Sequence, residues 1–223
     1  VIVQNSSDRV FLIDNGVAHA NATVLIQGSG VDLEMFKPAP EAAGEPVVIL
    51  PSRLIWEKGI QEFVDAARQL RREGVAARFA LIGNTHPSNP RAVPEETLRG
   101  WADDGIVEWW GRREDMPAVM ARSHIVCLPS KYGEGVPKVL LEAAAAGRAI
   151  VATDTPGCRE VIEDGVEGLL VPSGNSAALA IALRRLIERP DERKAMGAAG
   201  RDRAVADMDI DQVVARTLEI YGE

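Results

Sequence analysis

Two cysteines, three histidines and no long apolar run put several classes of protein out of reach of this 223-residue chain. Cys127 lies in an apolar strand-like run and Cys158 in a loop, so no disulfide framework is expected and a reducing cytoplasm fits best. His19, His86 and His124 are scattered without metal-ligand spacing, so no metal site is expected; His86, in a strand-end loop, reads more simply as exposed than as a ligand contact. No hydrophobic stretch approaches the roughly 20 residues that cross a bilayer, and no signal peptide is visible. Basic excess is lacking too: 25 Lys and Arg stand against 33 Asp and Glu, a net charge of −8 that speaks against a general nucleic-acid binder. Neither a phosphate loop ending in Gly-Lys-Ser/Thr nor a full G-x-G-x-x-G occurs, because Gly28-Ser-Gly30 lacks the third glycine. Kinase-like and dinucleotide-oxidoreductase chemistries thereby lose their main support. There is no initiator methionine, and the chain, opening on Val1-Ile-Val-Gln4, is expected to be cut from something longer.

What is present is a repeating alternation. With 46% hydrophobic residues the chain can bury a full core. Short apolar runs at Val47–Leu50, Arg78–Ile82, Ile106–Trp110, Ile125–Leu128, Ala149–Thr153 and Gly168–Val171 read as strands. Between them, Gln61–Arg72, Pro94–Asp103, Asp115–Arg122 and Pro137–Ala146 read as helices, the last closed by Gly147, and two or three more helices run from Ser176 to Tyr221. This spacing predicts an α/β fold with a doubly wound, mostly parallel, Rossmann-like sheet, whose ligands sit at the carboxyl ends of the strands. Residues 1–46 differ: a strand, a helix near Ser6–Asn15, a second strand at Thr23–Ile26, and a Pro/Ala/Glu/Gly-rich loop or linker at Pro38–Gly44. The domain boundary is therefore placed after residue 46, with the main domain at 47–223.

The richest stretch is Tyr132-Gly-Glu-Gly-Val-Pro-Lys-Val-Leu-Leu-Glu142. Glu134 falls on a loop and Glu142 inside the helix that follows, with Pro137 expected at the first helical position and Gly133 and Gly135 freeing the backbone for a close approach. Exposed N–H groups at such a helix start favour an anion, which suits a sugar-nucleotide site. Both acids also read as ordinary surface groups, although Glu142 sits among Val139, Leu140, Leu141 and Ala143–Ala146 and should need a hydrogen-bonding partner. Arg53 and Lys58, in Pro51-Ser-Arg-Leu-Ile-Trp-Glu-Lys-Gly-Ile60, follow the first main strand and suit a diphosphate, or are plain solvated loop charges. Thr155-Pro-Gly-Cys-Arg-Glu160 arrives at the same edge, with Pro156-Gly157 read first as a structural turn. At the end of another strand, Gly111 and Arg112 offer backbone groups or a stacking guanidinium to a base, while core packing accounts for at least one of Trp109 and Trp110.

Taken together, Gly28-Ser-Gly-Val-Asp32, Ser52-Arg-Leu-x-x-Glu-Lys-Gly59, Pro129-Ser-x-Tyr-Gly-Glu-Gly-Val-Pro137, the Glu134-x₇-Glu142 pair, Thr155-Pro-Gly-Cys-Arg-Glu160, Asp164-Gly165 and Gly168-Leu-Leu-Val-Pro172 resemble the retaining GT-B glycosyltransferases of family four. The likeness is greatest to those that build bacterial capsule, exopolysaccharide or O-antigen. The resemblance implies that Arg53 and Lys58 hold the donor diphosphate and Glu142 the ribose hydroxyls. It makes Glu134 the catalytic-site contact to the donor sugar, helped by the backbone around Gly135, Val136, Pro137 and Lys138. It implies a nucleotide-diphosphate sugar as substrate, a UDP-sugar favoured, with no cofactor and no metal. It further implies a partner domain, of which Val1–Gly16 resembles the last strand and helix. That domain would supply the acceptor site, so the isolated chain is expected to bind nucleotide sugar but turn over poorly. A lipid-linked acceptor would set the parent protein at the inner face of the membrane; no nucleic acid is expected. Two other readings remain, a GT-B sugar-nucleotide 2-epimerase and a non-catalytic nucleotide-sugar-binding module, and base, sugar and acceptor are not legible.

Overall fold

The computed structural model describes residues 1–86 and 88–222; Pro87, in the strand-end loop that holds His86, lies outside the described residues, as does Glu223. The chain opens with β1 (Ile2–Val3), α1 (Ser6–Asp14) and β2 (Val24–Leu25), in which β1 and β2 pair in parallel. The main body follows as β3 (Val47–Pro51), α2 (Ile60–Arg72), β4 (Arg78–Ile82), α3 (Glu95–Asp103), β5 (Glu108–Trp109) and α4 (Met116–Ala121). It continues through β6 (Ile125–Leu128), α5 (Lys138–Ala145), β7 (Ala149–Thr153), α6 (Pro156–Arg159) and β8 (Gly168–Val171). Three helices, α7 (Ser176–Glu188), α8 (Pro190–Asp207) and α9 (Ile210–Tyr221), close the chain.

The six main strands form one parallel sheet in the order β5-β4-β3-β6-β7-β8. Strands β3, β6 and β7 are buried along their whole length, which is why their sequences are unbroken apolar runs rather than alternations. Within β3 the pleat divides the side chains by parity. Val48 and Leu50 join the core beneath α2, α3 and α7, while Val47 and Ile49 join the core beneath α4 and α5. Helix α2 shows the sequence logic most clearly: Ile60, Phe63, Val64, Ala67 and Leu70 recur at helical spacing and all are buried. The strand order reverses between β3 and β6, and in open α/β sheets that is where a crevice forms at the carboxyl ends.

The amino-terminal segment is tied down by specific polar contacts. Glu160 accepts from the Ser6 amide with one oxygen and from Gln27 Nε2 with the other, each at 2.7 Å. Val31 and Phe36 are buried with the second core, and Val31 exchanges backbone hydrogen bonds with Met208 and Ile210. Helices α1 and α9 have no buried residues, and Val10, Phe11, Val214, Leu218 and Tyr221 stand exposed on them.

Two local expectations need correction. Pro137 is the N-cap of α5, not its first helical residue: its ψ of 117° is extended, so the helix starts at Lys138. Pro156-Gly157 opens the short helix α6 rather than a simple turn, because Thr155 is extended and Pro156 suits a first helical position.

Candidate functional site

The loops after β3 and β6 meet at the point where the strand order reverses. After β3 the chain makes a 3₁₀ turn, Trp56–Lys58, ended by Gly59 at φ 72°. A Cβ on Gly59 would overlap the carbonyl of Pro129, so only glycine lets this turn lie against the end of β6. Lys131 donates its amide to the Glu57 carbonyl at 2.8 Å and its ammonium to Glu62 at 2.7 Å, completing the join. Across it, Lys58 Nζ lies 2.5 Å from Glu134 Oε1, and Ser130 Oγ donates to the same oxygen at 2.5 Å. Ser130 is itself fixed, since its carbonyl accepts from Thr153 Oγ1 at 2.8 Å.

Gly157 supports the same loop from below. Any side chain there would collide with the carbonyls of Glu134 and Gly135, so α6 presses its backbone directly under the glutamate. Around Lys58 and Glu134 lies a pocket of about 290 Å³ lined also by Arg53, Arg91, Ser130 and Tyr132. Arg91 is neutralised in part by Glu57 at 3.2 Å, whereas Arg53 is exposed and has no ion-pair partner among the described residues. The pocket thus holds one free guanidinium and one lysine already engaged by a carboxylate.

The start of α5 follows Glu134 by four residues, beyond the lining of this pocket. The N–H groups of Gly135, Val136 and Lys138 donate to no acceptor among the described residues, and together they present positive partial charge to an anion. Glu142, one turn into α5, is half-buried and its carboxylate has no hydrogen-bond partner among the described residues. Burial pushes its pKa above the ordinary carboxylate range, with Lys138 pulling weakly the other way. Glu142 is not among the residues lining the 290 Å³ pocket, so it stands on the same helix as the pocket's anion-facing end but outside its wall.

Residues 45–189 match the family model described as glycosyl transferases group 1. The chain belongs to that family. Among its relatives is the N,N'-diacetylbacillosaminyl-diphospho-undecaprenol alpha-1,3-N-acetylgalactosaminyltransferase of Campylobacter jejuni, 30% identical over 200 residues that cover 84% of this chain and 50% of the relative. A phosphatidyl-myo-inositol mannosyltransferase of Mycobacterium leprae is 32% identical over 203 residues, 86% of this chain and 52% of the relative. The chain spans about half the length of these relatives. Its fold is shared with the Anabaena protein HepE, solved in complex with UDP, at a TM-score of 0.86 and 23% identity over 100% of this chain and 63% of that one. The mostly parallel six-stranded sheet is that of the GT-B glycosyltransferases.

In this group 1 domain, Gly111 and Arg112 lie at the end of β5 and outside the pocket lining. The Gly111 carbonyl accepts from Gly83, and the Arg112 amide donates to Asn84 Oδ1 at 2.9 Å, so those groups are used within the protein. Trp109 packs against one core and Trp110 against the other. His124 is buried, accepting from the Val47 amide through Nδ1, and burial lowers its pKa. No group of three or more His, Cys, Asp or Glu among the described residues is placed to hold a metal ion, and no helix among them is long and apolar enough to cross a membrane. Sequence reading assigned no role to Ser130 or Arg91. Ser130 sits two residues past β6 and four before Glu134, a spacing that was available to read. Arg91 reaches the pocket only through the fold of the β4–α3 loop, so no local pattern marks it.

Proposed function

We propose that this chain is the donor-binding half of a retaining glycosyltransferase, one that moves a sugar from a nucleotide-diphosphate sugar to a lipid-linked or glycan acceptor in cell-surface polysaccharide synthesis. The observation that carries this reading is the meeting of Arg53, Lys58, Ser130 and Glu134 in one pocket beside the free N–H groups that start α5. Arg53 and Lys58 hold the donor diphosphate, a role suited to a planar fork beside a compact charge. Glu134 takes hydroxyls of the donor sugar, and the backbone from Gly135 through Pro137 to Lys138 faces the phosphates. Glu142, half-buried without a hydrogen-bond partner among the described residues, accepts from the ribose hydroxyls, which supply the donors its carboxylate lacks.

The chemistry asked of these groups is electrostatic. As the bond to the diphosphate breaks, Arg53, Lys58 and the helix start stabilise the departing charge while the sugar develops oxocarbenium character. The acceptor then attacks from the face the diphosphate leaves, in an internal-return-like displacement that retains configuration. No protein nucleophile, metal or cofactor is assigned a step. The acceptor site falls to a second domain, in keeping with a chain about half as long as its relatives. Exposed Val10 and Phe11 on α1 and Val214, Leu218 and Tyr221 on α9 support that division, because apolar groups on helices with no buried face call for a cover. The names of the relatives support lipid-linked acceptors, and the solved complex of HepE with UDP supports a nucleotide-sugar donor.

Calorimetry with UDP, GDP and ADP on the chain, repeated on Arg53→Ala and Glu142→Ala, tests the assignment. Each substitution should weaken binding of the preferred nucleotide by about 10- to 100-fold, the loss of one charge-assisted hydrogen bond. If neither weakens it, the pocket is wrongly assigned.

A further inference from the structure

A second pocket lies at the opposite, amino-terminal edge of the sheet, where Arg148 immediately precedes β7. At about 510 Å³ it is larger than the pocket at the carboxyl edge. One wall is the loop Pro38-Ala39-Pro40-Glu41, and the other is Lys194, Ala198 and Arg201 of α8, with Gly147 and Arg148 between them.

Arg148 is the unusual group. It is only 2% exposed, yet no carboxylate pairs with it among the described residues. Its Nη2 donates to the Ala39 carbonyl at 2.6 Å and, at the limit of reach, to Ala121. Nε is shut off from solvent without a partner, and Nη1 makes no hydrogen bond among the described residues. A guanidinium held in a buried side chain with its Nε shut off and unpaired carries a desolvation cost that an anion would offset.

Its surroundings reinforce that demand. Arg193 forms a bidentate pair with Glu41, both contacts at 2.7 Å, and so spends that carboxylate. Lys194 is exposed with no ion pair among the described residues, and Arg201 uses Nη1 on the carbonyls of Leu33, Phe36 and Ala145. Three cations of the lining, Arg148, Lys194 and Arg201, therefore stand with two carboxylates, Glu41 and Asp202, of which Glu41 is already held by Arg193, in a chain whose net charge is −8. The remaining wall of prolines and alanines is apolar.

We infer that this pocket is a binding site for a small organic anion, a phosphate monoester with an apolar body, distinct from the donor pocket. The phosphate lies against Arg148 and Lys194 and the body against Pro38, Pro40 and Ala198. Gly147 and Arg148 follow the carboxyl end of α5, so an occupant there lies just beyond the end of the helix that starts four residues after Glu134.

Phenyl phosphate is the probe. Titrated into the chain, it should bind saturably and shift the Arg148 Nε–H resonance in ¹H–¹⁵N spectra. Lys194→Ala, an exposed change that leaves the core intact, should weaken that binding about tenfold, the loss of one charged contact. Arg53→Ala should leave it unaltered. Binding that never saturates, or that Arg53→Ala abolishes while Lys194→Ala does not touch it, would overturn the inference by leaving the phosphate at the donor pocket alone.

Discussion

Replacing Glu134 by glutamine separates the ion pair its carboxylate makes with Lys58 from the contact to the donor sugar proposed for it. Lys58 and Glu134 lie 2.5 Å apart with side chains 17% and 21% exposed, so the pair is neither a surface bridge nor a fully buried one. Unit charges at that distance attract by about 1.7 kcal/mol even at the dielectric of bulk water, and by more as the effective dielectric falls. Desolvation and lost side-chain freedom take part of this back, leaving about 1–2 kcal/mol net. Without ligand, Glu134 therefore competes with a diphosphate for Lys58. Glu134→Gln removes the competing charge and keeps the shape, so UDP should bind up to about tenfold more tightly. The same change should weaken a UDP-sugar relative to UDP, because the carboxylate's charge-assisted bond to a sugar hydroxyl, worth about 1.5–3 kcal/mol, is lost. Lys58→Ala should weaken both ligands together. Calorimetry at low and high ionic strength reads all of these, and the gain for UDP should shrink with salt. If Glu134→Gln weakened UDP and UDP-sugar equally, or changed neither, Glu134 would be only a brace that Ser130 and Lys58 hold for the loop.

Two further outcomes follow from the geometry. Burial raises the Glu142 pKa, so folding favours its protonated form. That contribution to stability is present below the ordinary carboxylate range and is lost as pH rises through the raised value. Glu142→Gln should accordingly raise the melting temperature near neutral pH, with the gain disappearing in acid, while nucleotide binding falls; a variant that melts lower at neutral pH would refute the unpaired, buried carboxylate. Gly157→Ala should cost about 1–3 kcal/mol of stability and displace the Glu134–Gly135 loop, because the added Cβ overlaps both carbonyls. Thermal melts and UDP titration together check this, and an alanine variant with unaltered binding would show that α6 does not position the loop.

Strands and helices were legible because burial on both faces of the sheet leaves unbroken apolar runs such as Val47–Leu50, and because α2 repeats its apolar residues at helical spacing. Boundaries were less so. Pro137 suits the first helical position and an extended N-cap equally well by its φ, and only ψ separates them. The site showed the same division. Arg53, Lys58 and Glu134 could be placed at one edge because each follows a strand, and the structure brings them into one pocket. Contacts between loops were not legible. The shared oxygen of Glu134, the Gly59 approach to Pro129 and the arrival of Arg91 depend on how two segments distant in sequence come to rest.

The distribution of partners around the sheet shows how the molecule reserves binding capacity. At the carboxyl edge Lys58 has a carboxylate and Arg53 has none; at the amino edge Glu41 is spent on Arg193 and Arg148 has none. The carboxyl edge thus keeps Arg53 unpaired beside a neutralised Lys58, and the amino edge keeps Arg148 and Lys194 without ion pairs among the described residues beside a neutralised Arg193. A charge left unpaired lowers stability where it is buried, as at Arg148, and costs little where it is exposed, as at Arg53. Pairing the neighbours limits the repulsion that two free cations would impose on the empty protein. Such an arrangement holds an anion more tightly than a fully paired cluster, whose charges would first have to be separated.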